Sequence, residues 1–305
     1  IYRVFWYAAI LILPLAVAAF FLYVSHFKVG ERPNYIVNAY FESHKTMLEL
    51  PGGQLVALDT VKNVAEKLNQ YGVLLENGIG LDYTGVDSIA DSKVEYHRII
   101  VPRGGEYNLK LADGTNVWVF AESEIRFPIR FKGNKREVYL EGEAYFEVHH
   151  DLAHPFYVKT KSLDVKVLGT SFNVNARENS CVTTLVEGLV RMKHGLQDSV
   201  ELHAGQQACV SGIGKIHVQE VDTRYYTSWM NNMFAFRETP LREIANVLEE
   251  WYGCECRFET STLENIPYTT MVERYSDIDS VLQILAGTGD FRYTRIGDLI
   301  IIKEK

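Results

Sequence analysis

The stretch YNLKLADGTNVWVF, Tyr107–Phe120, decides how this chain folds. Alternating residues flank Asp113-Gly114, a dipeptide that tolerates positive φ, so the segment reads as a β-hairpin closed by a tight turn. A second stretch of the same design, TMLELPGGQLVALD (Thr46–Asp59), turns at Gly52-Gly53, and the likeness between the two hints at a weak internal repeat. Working outward, β-prone stretches separated by Gly-containing turns recur roughly every ten residues, the spacing of an all-β domain. They fill residues 34–222, which predicts a sandwich or a solenoid-like body. The one interruption is residues 60–71 (TVKNVAEKLNQY), which read as a short helix.

Near Tyr226 the apolar period changes from two to 3.6. Leu241, Ile244, Ala245 and Leu248 share one face of a helix introduced by Thr239-Pro240 and stopped by Gly253. Ile278, Val281, Leu282 and Leu285 form the stripe of a second helix that starts at Asp277 and ends at Gly287. Strands are expected at 233–236, 254–258, 268–272, 291–294 and 299–302. The resulting order, β-α-β-β-α-β-β over residues 228–305, predicts a small α+β domain.

At the other end, Val4 to Val24 is a run of 21 residues without a charge. At 1.5 Å per residue a helix of that length spans a hydrocarbon core of roughly 30 Å, and only a helix satisfies its backbone there. Residues 1–27 are therefore expected to form a transmembrane anchor, kinked at Pro14 where an intrahelical bond is lost. Ala16-Val17-Ala18 resembles a signal-peptide cleavage site, but the apolar run continues beyond it to Val24, which favours the anchor. Arg3 precedes the run and Lys28 and Arg32 follow it, so charge alone does not orient it. The composition is that of a globular protein, with 47% hydrophobic and 23% charged residues. A net charge of -8 without a basic stripe argues against direct nucleic-acid binding.

The middle of the chain carries LADGTNVWV (Leu111–Val119), REVYLEGEAYFEV (Arg136–Val148), HPFYVKT (His154–Thr160), VKVLGTSFNV (Val165–Val174), TLVEGLV (Thr184–Val190) and AGQQA (Ala204–Ala208). Six motifs in this order and spacing resemble the FecR family of anti-sigma factors. FAFRETPLREIANVLEEWYG (Phe234–Gly253) is similar to the small C-terminal domain of the long-form members, itself like the short domain at the N-termini of secretins and TonB-dependent receptors. Phe120 stands where the family usually has Asn, and Ala204 where a proline commonly precedes Gly-Gln. The resemblance implies a FecR domain over 97–222, preceded by a β-rich membrane-proximal segment over 34–96 and followed by a docking domain over 228–305. It also implies an inner-membrane protein crossing once, with its N-terminus cytoplasmic and its bulk periplasmic. Residues preceding Ile1 would bind an extracytoplasmic-function sigma factor. The periplasmic part would receive a siderophore or glycan signal from the N-terminal signalling domain of a TonB-dependent outer-membrane transporter. Periplasmic and intramembrane proteases would then relay it, with Pro14 opening the helix to the second. No cofactor is expected.

Some members of the family break a Gly-Thr bond at the motif containing Gly169-Thr170, by attack of the hydroxyl on the preceding carbonyl. The competing reading makes Gly169 a tight turn or bulge and Thr170 a strand residue. Glu141 and Glu143, two apart on a strand, read as solvated or ion-paired surface rather than as a catalytic pair. His149, His150 and His154 lack converging partners at metal-site spacing, so no metal is expected. Cys254 and Cys256, two apart on a strand, are not expected to bridge; Cys181 and Cys209 could pair in an oxidising compartment, but the favoured reading keeps all four thiols free. With no P-loop, nucleophile elbow or dinucleotide fingerprint, no enzyme is expected. Docking is assigned to the edges of the strands at 254–258 and 268–272, marked by Cys254, Phe258, Tyr268 and Val272. The rival function is a membrane-anchored β-domain that binds carbohydrate or a cell-wall ligand directly.

Overall fold

The computed structural model describes residues 45–58, 68–69, 71–76, 80–86, 94–102, 104–177, 180–194, 198–211, 214–274, 276–289 and 291–305. The expected anchor with Pro14, and most of the helix expected over 60–71, lie outside these residues. Among the described residues no helix is long and apolar enough to cross a membrane.

The first nine strands are β1 (Met47–Glu49), β2 (Leu55–Ala57), β3 (Leu74–Glu76), β4 (Gly80–Asp82), β5 (Tyr96–Val101), β6 (Tyr107–Lys110), β7 (Asn116–Val119), β8 (Ser123–Pro128) and β9 (Arg136–Glu147). They continue as β10 (Phe156–Lys159), β11 (Asp164–Val167), β12 (Ser171–Arg177), β13 (Ser180–Glu187), β14 (Val190–His194), β15 (Asp198–Leu202), β16 (Gln206–Ser211) and β17 (His217–Glu220). Their pairing defines two layers. One runs β2-β1-β5-β8-β9-β10-β11-β14-β15 and the other β3-β4-β6-β7-β9-β12-β13-β16-β17. The described strands before residue 96 are thus woven into both layers: β1 pairs with β5, and β4 with β6.

Strand β9 belongs to both layers. Its first part pairs with β8 and β10, and its second part, from Gly142, with β7 and β12. Gly142 is the corner. Its φ is +98, and a Cβ there would sit 2.6 Å from the Cα of Ser123. Only glycine combines that backbone with that approach.

Alternation does the rest. Along β5, His97, Ile99 and Val101 point inward, and along β9 the even-numbered residues do. Ile99, Phe127 and Phe156 from one layer meet Val117, Phe146 and Phe172 from the other in a single core. Phe146 stacks on Phe172 at 5.2 Å and packs against Phe156 at 6.1 Å. Each such side chain contributes about 1.5–3 kcal/mol of burial. The Asp113-Gly114 turn forms as expected, with Gly114 at φ +86. It is tied to the start of β9 by the buried Arg136, which pairs with Asp113 at 2.6 Å and donates to the carbonyls of His149 and His154.

After a single helical turn, α1 (Arg224–Thr227), come β18 (Met233–Pro240), α2 (Leu241–Tyr252), β19 (Glu255–Phe258), β20 (Pro267–Glu273), α3 (Ile278–Thr288), β21 (Phe291–Ile296) and β22 (Leu299–Glu304). The order is the expected one, distributed over two small sheets, β18-β20 and β19-β22-β21. Leu241, Ile244, Ala245 and Leu248 of α2 and Val281, Leu282 and Leu285 of α3 share a second core with Phe291 and Ile300.

Two helix ends differ from the sequence reading. Thr239 does not cap α2: its hydroxyl bonds Arg237, and β18 runs straight into the helix while the Leu241 amide donates to the carbonyl of Ile266. A neighbouring strand end thereby supplies the acceptor that a capping side chain usually provides. Gly287 does not stop α3, which continues through it to Thr288. The other ends behave as read. Asp277 caps α3 by accepting from the Ser280 amide, and Gly253 ends α2 in the left-handed region at φ 66.

Candidate functional site

Gly169 and Thr170 lie just before β12, beside an irregularity where the β12–β13 register shifts between Ser171 and Phe172. Thr170 is 5% exposed, and its hydroxyl donates to the carbonyl of Leu189 at 3.1 Å. The residues on either side of the bond are clamped: the Val148 amide donates to the Thr170 carbonyl and the Asp151 amide to that of Leu168. A Cβ on Gly169 would fall 2.7 Å from the Cα of His150, so glycine is required here by close approach. Its φ is not among the positive ones. From the other side Gly188, at φ +94, lets the chain pass over the Thr170 hydroxyl and the Gly169 carbonyl. The hydroxyl and carbonyl are therefore boxed between two backbone segments, with the His150 ring beside them.

The four residues marked for docking fall into two kinds. Tyr268 and Val272, on β20, are 6% and 2% exposed and pack in the C-terminal core. Phe258, on β19, is half-buried beneath the Arg242 guanidinium at 4.2 Å, and the Cys254 thiol donates to the carbonyl of Leu248. Contact through this region would thus use strand backbone and outward residues, not these side chains. All four cysteines are free. Cys181 faces the core beside Val210, while Cys209, paired with Val182, faces the opposite side of the sheet. Strand alternation keeps the two thiols apart.

The acidic pair requires a correction. Glu141 is exposed and pairs with Lys161, as expected. Glu143 is half-buried, with one oxygen accepting from the Asn173 amide and the other from that of Asn175, both at 2.8 Å. Burial raises its pKa. The cause is the neighbouring strand: β12 supplies two asparagines on the same face, which no local pattern in β9 reveals. Among the described residues no group of three His, Cys, Asp or Glu side chains could hold a metal; His154 bonds Asp151, and the His149 amide donates to Thr115.

The feature that sequence reading missed is the junction between the β-body and the C-terminal domain. Arg274, just past β20, is 0% exposed. Its guanidinium pairs with Glu106 of the β-body at 2.7 Å, donates to the carbonyl of Trp229 in the connecting turn, and lies 4.6 Å from the Trp251 ring. Its own carbonyl accepts from Trp251 and Tyr252 of α2. Phe120 closes the cluster, 5.0 Å from Trp229 and 5.6 Å from the Arg274 guanidinium. Phe120 stands where the family that the sequence resembles usually has Asn; here the ring fills the junction. An arginine so placed couples three chain segments through charge and stacking together.

Known proteins bear on this architecture. The family model described as "FecR protein" matches residues 97–191 and the one described as "FecR, C-terminal" matches 233–302, together more than half of the chain. No curated protein matches. Two crystal structures of a candidate anti-sigma factor from Parabacteroides distasonis ATCC 8503, at 1.65 and 2.50 Å resolution, are similar to it at 28% identity and a TM-score of 0.58. The alignments cover 68% and 69% of this chain and 99% of those. Both halves of the architecture thus lead to one place, and the chain belongs to the FecR family of anti-sigma factors.

Proposed function

We propose that this chain is the anchor, relay body and docking module of a sigma regulator that receives its signal outside the inner membrane. Family membership supports a sigma factor as partner. In this reading the apolar run Val4–Val24 crosses the inner membrane with its N-terminus cytoplasmic, and the described residues are periplasmic. The C-terminal domain docks the N-terminal signalling domain of a TonB-dependent transporter, and proteolysis carries the message inward, with Pro14 easing the intramembrane cut.

The observation that carries this reading is the Arg274 junction. A docking domain that swung freely could not load the β-body, whereas one pinned through a buried guanidinium transmits a change at its strands to Glu106 and Phe120. Deleting residues 233–302 should abolish transporter-dependent induction of a sigma-driven reporter while leaving the basal level set by the regulator. Unchanged induction would refute the docking role. Self-cleavage at Gly169-Thr170 belongs to the same reading. Thr170→Ala should leave a single full-length band on a blot where the wild type shows two, and a split product persisting in the variant overturns it.

A further inference from the structure

The outer face of the first sheet holds a charged groove that the relay does not use. One register row crosses it: Glu49, Arg98, Arg126, Tyr139, Lys159 and Asp164, each opposite the next on neighbouring strands. Two open depressions of about 370 and 500 Å³ meet on this row and share Glu49, Arg98 and Arg126. Their combined size is in the range of small-ligand sites.

The cations of the row are not equivalent. Arg98 is neutralised by Glu49 and Glu124, and Lys159 by Asp164. Arg126, directly opposite Arg98, has no carboxylate partner among the described residues. Glu49 and Glu124 offset the repulsion that two like charges across neighbouring strands would otherwise bring. Stacking holds Arg126 in place: its guanidinium lies 4.3 Å from the Tyr96 ring and 5.3 Å from that of Tyr139. Cation–π contact uses the face of the guanidinium and leaves its N–H edge available for a planar anion. The rest of the lining presents ion pairs, which offer donors and acceptors side by side. A hydroxyl, which both donates and accepts, suits such a lining better than a uniformly charged chain does. Tyr139, 39% exposed, adds an aromatic flank.

We infer that this groove binds a carboxylate-bearing sugar, a short uronate oligosaccharide, with the carboxylate on Arg126 and the ring hydroxyls on the paired charges around it. This goes beyond the relay, because it gives the β-body a ligand of its own, remote in sequence from the docking domain. Calorimetric titration of the full chain in detergent micelles with trigalacturonate tests it. The acid should bind. Its methyl ester should bind about tenfold or more weakly, as should Arg126→Gln titrated with the acid, the loss expected for one charge-assisted bidentate contact. Arg126 is exposed, where stacking on Tyr96 and Tyr139 adds little to the fold, so the variant should melt close to the wild type, and the melt run beside the titration separates lost binding from lost folding. The inference is overturned if the wild type takes up no trigalacturonate, if ester and acid bind alike, or if Arg126→Gln binds as the wild type does. It is equally overturned if triglutamate binds more tightly than the sugar acid, which would make the groove a peptide site.

Discussion

Replacing Arg274 by Met should uncouple the C-terminal domain from the β-body. The substitution keeps most of the aliphatic volume and removes the charge from a fully buried position. Breaking one partner of a buried ion pair costs about 3–5 kcal/mol, because the other charge is stranded. Here Glu106 keeps 28% of its side chain exposed, so water can reach its carboxylate and the lower end, about 3 kcal/mol, applies. Loss of the stack on Trp251 at 4.6 Å adds about 1 kcal/mol. Glu106→Gln retains an acceptor and should cost about 1–2 kcal/mol. Since both changes remove the same contact, the double variant should fall short of the sum by about 1–2 kcal/mol. Urea unfolding followed by tryptophan fluorescence is the assay, because Trp229 and Trp251 both touch the cluster. Arg274→Met should open an early transition in which the C-terminal domain releases before the β-body unfolds. A midpoint within about 0.5 kcal/mol of the wild type, or strictly additive variants, would refute the coupling.

Three further outcomes follow from the packing. Gly142→Ala should lose about 2–5 kcal/mol, combining a left-handed backbone with a Cβ 2.6 Å from Ser123, while Gly53→Ala, at φ +85 with open space around it, should lose only the backbone part; thermal melts separate them. Burial lowers the His97 pKa to about 4, and its ring bonds the Tyr83 hydroxyl at 2.7 Å. The unfolded chain therefore binds the extra proton first, so stability is complete above pH ~6.5 and falls by about 3 kcal/mol as pH drops toward 4; urea midpoints of His97→Asn should lack this component. Mass analysis of the unreduced protein should find Cys181 and Cys209 as thiols, since they face opposite sides of the sheet, and a disulfide linking them would contradict the β13–β16 register.

Much of this architecture is legible residue by residue. Period two around Asp113-Gly114 and Gly52-Gly53, and period 3.6 along Leu241–Leu248 and Ile278–Leu285, come from local rules, and the elements form where those rules place them. Helix ends were less legible. Thr239 and Gly287 have the right chemistry for a cap and a stop, yet the carbonyl of Ile266 replaced one and packing of α3 carried the helix past the other.

What the sequence by itself determined was the order of the elements in the C-terminal domain, the two tight turns, the apolar stripes of its two helices and, through six motifs, membership of a family. Those depend on neighbours in the chain. Only the tertiary structure decided that β9 bends at Gly142 to join two layers, that Glu143 is held by two asparagines some thirty residues away, and that Arg274 meets Glu106 across 168 residues. It also decided that Arg126 sits opposite Arg98 with no carboxylate partner of its own among the described residues. The physical reason is the same in each case. A side chain's partners across a sheet or a domain junction are set by register and packing, and neither has a signature in local periodicity.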